Sequence, residues 1–259
     1  LEGPGVDGWA FYGTPENTGD GIAMAMKVGA GLTKVGKAAS RLIMAVPIRY
    51  HGLRVGVITD SVGRPNSIVV DNFGNRYIAE TLITDDPSRY FSYKEAVKFD
   101  IVSLIYPRVP SWMILDETFR TKVTITTLGV STAGFGIVPW TKDNSDAINR
   151  GWIMRADTVG ELAAKIKANP ENRQLMDPAS LVKAVGRFNE LCSKSKDEDL
   201  NRRPETLGPI EKPPYYALPL YPGGPNTKGG IAANAKREVL DWEGRPIPGC
   251  TLPVRSLRH

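Results

Sequence analysis

The residues best suited to ligand chemistry lie in a glycine- and proline-rich stretch near the end of the 259-residue chain. The run Thr227-Lys228-Gly229-Gly230 can bring backbone N–H groups close to a ligand, because glycine has no side chain to hold the ligand away. Just upstream stand Tyr215 and Tyr216. A phenol held in a dry pocket can donate to a developing oxyanion or pass a proton. The same residues also fit a tight turn and ordinary core aromatics, and their spacing leaves both interpretations open.

Composition excludes several other kinds of site. Two Cys and two His, in no metal-ligand spacing, exclude a disulfide framework and a Cys-rich zinc module, so no metal is predicted. The phosphate-binding pattern GxxxxGK[ST] does not occur. Basic residues exceed acidic ones by only 33 to 28, and no basic stripe carries aromatics, so nucleic-acid binding is not predicted. No apolar run reaches the roughly 18–20 residues of a membrane span, and no leader opens the chain. This pattern favours a cytoplasmic protein.

Three helices are predicted from their starting residues and periodicity. The first runs from Asp20 to Leu32, and its apolar and small residues predict burial against another element. The second follows a capping box formed by Thr158 and Glu161. The third follows Asp177, with Pro178 in the first helical position. Its inward face is predicted at spacings of three and four: Leu181, Val182, Val185, Phe188 and Leu191.

Strands are predicted between these helices. The apolar runs Leu42 to Val46 and Trp112 to Leu115 are typical of buried strands. Residues 67–71 and 76–78 flank a short Asn/Gly loop, which is a hairpin pattern. Strands beside a pair of helices predict an α+β fold.

The remaining segments are predicted to be irregular. The Gly/Thr/Ser-rich residues 127–151 are typical of a loop, and the charge run 194–203 is typical of a solvated connection. Prolines from position 209 to 225 make regular helix improbable there. Two β-rich runs then bracket a turn at 242–244.

Eight short segments also occur in a recognisable order. They are Asn17 to Ala25, Val69 to Glu80, Trp112 to Arg120, Ala156 to Ala163, Arg187 to Asn189, Pro213 to Ala217, Asn226 to Gly230, and Val239 to Gly249. Each is weak alone. Together they resemble the flavoprotein superfamily that includes fumarate reductase flavoprotein subunits and 3-ketosteroid Δ1-dehydrogenases.

The resemblance implies a substrate-capping domain inserted in an α/β FAD-binding domain that is only partly present. Residues 1–47 and 207–249 correspond to the FAD-binding domain and residues 48–206 to the capping domain. The resemblance implies that this chain begins after the family's N-terminal Rossmann segment, so the chain is expected to be a fragment. The family also expects Leu-Tyr-Ala-Ala-Gly-Glu close after Gly249. A one-base frameshift in suitable codons would convert that motif into the observed sequence, so residues 250–259 are predicted to be an aberrant tail.

The resemblance further implies FAD as the cofactor and assigns candidate residues. The cofactor-binding candidates are Thr18, Gly19, Asp20, Gly21, Thr227, Lys228, Gly229 and Gly230. Tyr216 matches a family tyrosine that polarises a substrate carbonyl, and Tyr90 matches a second family tyrosine. The implied function is that of an FAD-dependent oxidoreductase moving hydride between flavin and a CH–CH bond next to a carbonyl. The implied substrate is a small molecule, either a steroid or another enone or ketone, held between the two domains.

Two alternatives stay open. One is a fumarate- or urocanate-type reductase. Members of that kind use an Arg soon after the hairpin, but residues 80–86 contain none, and Asn226 stands where they have a histidine. The other alternative is a catalytically inactive, truncated remnant. The sequence does not indicate an oligomeric state.

Overall fold

A computed structural model describes residues 8–13, 18–35, 38–50, 52–85, 88–126, 138–227 and 229–252. These residues fall into two compact units. The smaller unit comprises the described residues of Pro15–Ala39 and Asn226–His259, and the larger unit those of Glu2–Thr14 and Ser40–Pro225. The domain boundaries inferred from the family resemblance stay predictions.

Helices and strands are mixed along the chain, in agreement with the predicted α+β class. In chain order they are β1 (Ala10–Phe11), α1 (Asp20–Lys27), β2 (Leu32–Thr33), β3 (Ala38–Tyr50), β4 (Leu53–Val57), β5 (Ser67–Val70), α2 (Tyr93–Ala96), β6 (Ser111–Leu115), α3 (Glu117–Lys122), α4 (Ser145–Asn149), β7 (Met154–Ala156), α5 (Val159–Ala168), α6 (Pro178–Ser193), β8 (Tyr215–Thr227), β9 (Gly230–Ile231), β10 (Glu238–Leu240) and β11 (Pro246–Thr251).

The core of the larger unit is a mixed sheet with strand order β1-β4-β3-β8-β6-β5, and β7 also pairs with β8. β6 is antiparallel to both neighbours, and Ile114 lies opposite Ile68 on β5 and Ala217 on β8. These residues pack with α5 and α6 on one face of the sheet. Met113 and Leu115 point to the other face and join a second apolar cluster with β3 and α3. Burial on both faces explains the continuous apolar run and confirms the predicted strand Trp112–Leu115.

Local hydrogen bonds fix the starts of α5 and α6 where the sequence predicts them. The Thr158 side chain accepts the Glu161 N–H, and the Asp177 carboxylate accepts the N–H groups of Ala179 and Ser180. The predicted inward face of α6 is confirmed except at Val182, which is 48% exposed.

Two sequence predictions need correction in this unit. Within the predicted loop 127–151, Ser145–Asn149 form α4, while residues 127–137 lie outside the described part of the chain. The buried Asn144 side chain accepts the Ile125 N–H and so ties the residue before this helix to the segment at Ile125. The second arm of the predicted hairpin is a single bridge between Val70 and Arg76, and the continuous partner of β5 is β6.

The smaller unit joins the two ends of the described chain. β2 pairs antiparallel with β9, α1 packs against β9, and β10 pairs with β11 around the predicted turn. The predicted helix is confirmed from Asp20 to Lys27, but it ends before Leu32, which begins β2. Its predicted burial is wrong: none of its residues is buried, and Met24 is 64% exposed. β9 is only two residues long, too short to cover the apolar face of the helix. Within the described ranges, no helix has both the length and the apolarity to cross a bilayer.

Candidate functional site

The first predicted cofactor segment is an open loop at the start of α1. Gly19 has the left-handed φ of 85° that glycine favours, and its carbonyl accepts the N–H groups of Ile22 and Ala23. Thr18, Asp20 and Gly21 are exposed beside it. A Cβ placed on Gly19 or Gly21 would meet no atom within 4 Å. The backbone of this loop is therefore accessible to a group outside the protein.

The second predicted cofactor segment lies in the same unit. A Cβ on Gly229 would come within 2.6 Å of the Val35 Cα, so only glycine allows this close approach of two chain segments. Gly230 begins β9, opposite Thr33 on β2, and has open space at its Cβ position. α1 packs against β9, so the elements that carry the two segments are in contact although they are far apart in sequence. Thr227 ends β8, and Lys228 lies outside the described residues.

This loop has the chemistry of a ligand-contacting backbone. Exposed glycines at a helix start let a ligand approach N–H groups closely. Asp20, in the first turn, adds a negative charge there. That charge opposes a phosphate at the same point and suits hydroxyl or ring N–H donors of a ligand instead. The residues present thus fit contact with a polar, non-phosphate part of a cofactor.

Tyr216 is held inside the larger unit. It is 3% exposed, on β8 between Leu115 of β6 and Arg155 of β7. Its hydroxyl donates to Glu117 Oε2 at 2.6 Å. Arg120 Nε also donates to Glu117 Oε2, at 2.7 Å, and its Nη2 donates to the other carboxylate oxygen. Arg120 therefore fixes the carboxylate that receives the tyrosine hydroxyl.

The ionisation states of this pair follow from their surroundings. Burial, together with the hydrogen bond to Glu117, raises the pKa of Tyr216 to about 12. The hydrogen bond from Arg120 lowers the pKa of Glu117. At neutral pH Tyr216 is thus a protonated donor and Glu117 an ionised acceptor. Donation by Tyr216 to a substrate carbonyl requires the hydroxyl to leave Glu117.

Tyr90 lies elsewhere in the larger unit, at the end of a short 3-10 helix, Ser88–Tyr90. Arg89 Nη2 donates to the Tyr90 hydroxyl at 3.0 Å, and the Arg89 guanidinium lies 4.8 Å from the centre of the Tyr90 ring. Tyr90 and Tyr216 thus have different polar partners on different elements. Their catalytic roles stay predictions.

The larger unit also contains a buried ionic network that the sequence analysis missed. Arg76 Nη2 lies 2.9 Å from Glu80 Oε2 and 2.9 Å from Asp197 Oδ2, and Arg202 Nη1 lies 3.1 Å from Glu80 Oε2. The guanidinium groups of Arg76 and Arg202 both lie over the Phe188 ring, at 4.8 and 5.2 Å from its centre. We refer to Arg76, Glu80, Asp197 and Arg202 as the ionic network.

This network corrects the prediction that residues 194–203 are a solvated connection. Asp197 and Arg202 are buried, because carboxylate and guanidinium partners from a distant segment replace their water. Arg76 and Glu80 stand four residues apart, but a spacing of that kind does not identify partners in another segment. No local signal distinguishes Asp197 and Arg202 from the exposed charges around them.

Asp197 makes the stability of the fold depend on pH. Burial acts to raise the pKa of Asp197, but the hydrogen bond and the charge of Arg76, together with N–H bonds from Leu200 and Asp199, outweigh burial and hold the pKa below its usual value. A lowered pKa means that the carboxylate stabilises the fold above its unfolded pKa of about 3.9, and that this contribution is lost as the pH falls through the folded pKa.

The unfolding free energy of the unmodified chain is expected to fall as the pH drops below about 5, and we expect Asp197→Asn to make this fall less steep. Urea unfolding at a series of pH values measures this slope, with Asp157→Asn as the exposed control. An Asp197→Asn slope equal to that of the unmodified chain would contradict the assignment.

Comparison with known proteins identifies the family. Residues 4–250 match the family model described as FAD binding domain. The match covers nearly the whole chain, and the chain belongs to this family of flavin-binding proteins. The predicted flavoprotein superfamily and the predicted FAD cofactor are confirmed.

The matched relatives are oxidoreductases by name. The chain is 24% identical to NADH:fumarate oxidoreductase of Klebsiella pneumoniae, over 95% of this chain and 22% of that protein. It is 26% identical to 3-oxosteroid 1-dehydrogenase of Mycobacterium tuberculosis, over 92% and 40%. The crystal structure of 3-ketosteroid delta1-dehydrogenase from Sterolibacterium denitrificans in complex with 1,4-androstadiene-3,17-dione matches with a TM-score of 0.62 and 25% identity, over 93% and 42%. The chain thus spans less than half the length of each relative, and its mixed sheet fits the fold of FAD-binding flavoproteins.

Proposed function

We propose that this chain forms part of an FAD-dependent oxidoreductase that moves hydride between flavin and a CH–CH bond next to a carbonyl, with a steroid or similar ketone as substrate. The observation that carries the proposal is the open glycine backbone of Gly19, Gly21 and Gly230, which lies at the starts of two elements, α1 and β9, that contact each other within one unit. FAD, when bound, supplies the redox chemistry of the reaction. The backbone around these glycines contacts the cofactor in this proposal, and Asp20 accepts a hydrogen bond from it.

Tyr216 is the proposed carbonyl-polarising residue. Its raised pKa keeps the hydroxyl protonated at neutral pH, as a hydrogen-bond donor must be. Donation to a carbonyl oxygen stabilises negative charge that develops there and so makes the adjacent C–H more acidic. Glu117 holds this hydroxyl in the absence of substrate, and Arg120 holds Glu117. Glu117 and Arg120 are therefore proposed as positioning residues.

The reaction itself is tested on the chain loaded with FAD, without oxygen. We expect a 3-ketosteroid to bleach the flavin absorbance and fumarate to leave chemically reduced flavin unchanged. Reoxidation by fumarate without bleaching by the ketosteroid would replace the proposal with a dicarboxylate reductase. Failure of the chain to retain FAD would favour the inactive remnant.

The role of Tyr216 is tested by Tyr216→Phe. We expect flavin reduction by the ketosteroid to slow about 10²–10³-fold, which is typical for loss of one oxyanion donor. Loss of the hydrogen bond to the ionised Glu117 is expected to lower the unfolding free energy by about 1.5–3 kcal/mol. Stopped-flow absorbance measures the rate, and urea unfolding measures the stability.

Tyr215→Phe is the matched control for this prediction. The Tyr215 hydroxyl donates to the Glu211 carbonyl at the surface, so its loss is expected to leave the rate unchanged. If the Tyr216→Phe chain reduces its flavin as fast as the Tyr215→Phe chain, Tyr216 has only a structural role in the core.

A further inference from the structure

A surface cleft in the larger unit is lined by basic side chains that have no role in the proposed redox function. It has a volume of about 290 Å³ and lies between the turn at Asn75, the outer face of α6 and the segment at Asp199. Arg76, Lys183 and Arg187 are among the residues that line it. Gly74 brings the turn against α6, because a Cβ there would come within 2.9 Å of the Leu181 nitrogen.

Arg76 presents a prepared donor at this cleft. Its side chain is 7% exposed, its Nε and Nη2 donate to Glu80 and Asp197, and its guanidinium lies over Phe188. Nη1 makes no hydrogen bond to any described residue, and it is accessible to solvent. A guanidinium fixed on three sides loses little conformational freedom when its free edge binds an oxygen acceptor.

Lys183 adds a second cation that is not otherwise used. It is exposed on α6 and has no ion-pair partner among the described residues. The remaining charges at the cleft are already matched. Arg187 binds Asp199 through two hydrogen bonds, and the Ser180 hydroxyl donates to Asp177. The unpaired charge of Lys183 and the free Nη1 edge of Arg76 therefore remain for one small anion, and Asp199 at the rim opposes a larger negative ligand.

We propose that this cleft binds one oxyanionic group, a phosphate or a carboxylate, between Arg76 Nη1 and the Lys183 ammonium. Both donors form charge-assisted hydrogen bonds to such oxygens. The site lies within the larger unit and does not depend on FAD or on Tyr216, so it stands apart from the proposed redox function.

The test is an NMR titration of the full chain with sodium phosphate, and separately with sodium acetate, at constant ionic strength. We expect saturable shifts of the Asn75, Arg76 and Lys183 backbone amides. Lys183→Glu is expected to weaken binding about tenfold, the effect of losing one charge-assisted hydrogen bond. Lys122→Glu, at the exposed end of α3, is the matched charge reversal and is expected to leave the affinity unchanged.

The outcomes separate the sources of the ligand. Saturation by phosphate alone identifies a phosphorylated ligand, and saturation by both anions identifies the shared oxyanion chemistry. Shifts that rise linearly with either salt, or equal affinities for the Lys183→Glu and Lys122→Glu chains, would overturn the proposal. Flavin retention and ketosteroid oxidation are measured separately and do not depend on anion binding in the cleft. Failure of the anion-binding proposal is therefore distinguishable from failure of the proposed function.

Discussion

Replacing Arg202 with Met is expected to lower the free energy of unfolding by about 3–5 kcal/mol, the usual cost of removing one partner from a buried ion pair. Arg202 is fully buried, and its Nη1 donates to Glu80 and to the Ser67 carbonyl. Its Nη2 donates to three further carbonyls, those of Gly63, Arg64 and Thr206. Methionine fills much of the same volume but donates no hydrogen bond, so these acceptors would lose their partner inside the protein.

Arg203→Met is the matched control, one residue further along the chain. Arg203 is exposed and pairs with Asp85 and Glu205 at the surface, where ion pairs contribute about 0–1 kcal/mol. Urea unfolding of both variants at neutral pH measures the difference. A loss below about 1 kcal/mol for Arg202→Met would mean that the buried acceptors find water or new partners.

Replacing Gly21 with Leu is expected to weaken FAD binding at least about tenfold while leaving the fold intact. The Cβ position of Gly21 is empty to 4 Å, so the protein itself accommodates the new side chain. Leucine also favours helix over glycine by up to about 1 kcal/mol. A cofactor in contact with this loop meets the leucine instead, and an overpacked contact of about 1–3 kcal/mol corresponds to about 10–100-fold in affinity.

Gly186→Leu separates a local block from a general effect of the substitution. Gly186 is an exposed helical glycine of α6 with equally open space at its Cβ position. FAD affinity is measured by quenching of flavin fluorescence, and thermal unfolding checks both variants. Equal FAD affinity in the Gly21→Leu and Gly186→Leu chains would remove Gly21 from the cofactor site and with it the main support for the proposed function.

Contacts close in sequence explain what could be predicted without a structure. The starts of α5 and α6 depend on Thr158 and Asp177 and on N–H groups two or three residues away. The buried strand Trp112–Leu115 follows from an apolar run. The family follows from eight short segments in order, each of which is a local pattern. The burial of Asp197 and Arg202 could not be predicted in this way, because exposed and buried charges look the same in a charge run.

The amino-acid sequence by itself thus determined the family, the FAD cofactor, the starts of α1, α5 and α6, and the buried central strand. Only the tertiary structure decided the partners of the charged and phenolic groups. Glu80 meets Arg202 across 122 positions of the chain, and Tyr216 meets Glu117 across 99. Partners that far apart are selected by how the sheet and helices pack, and burial then sets which charges stay ionised and which hydroxyls remain donors.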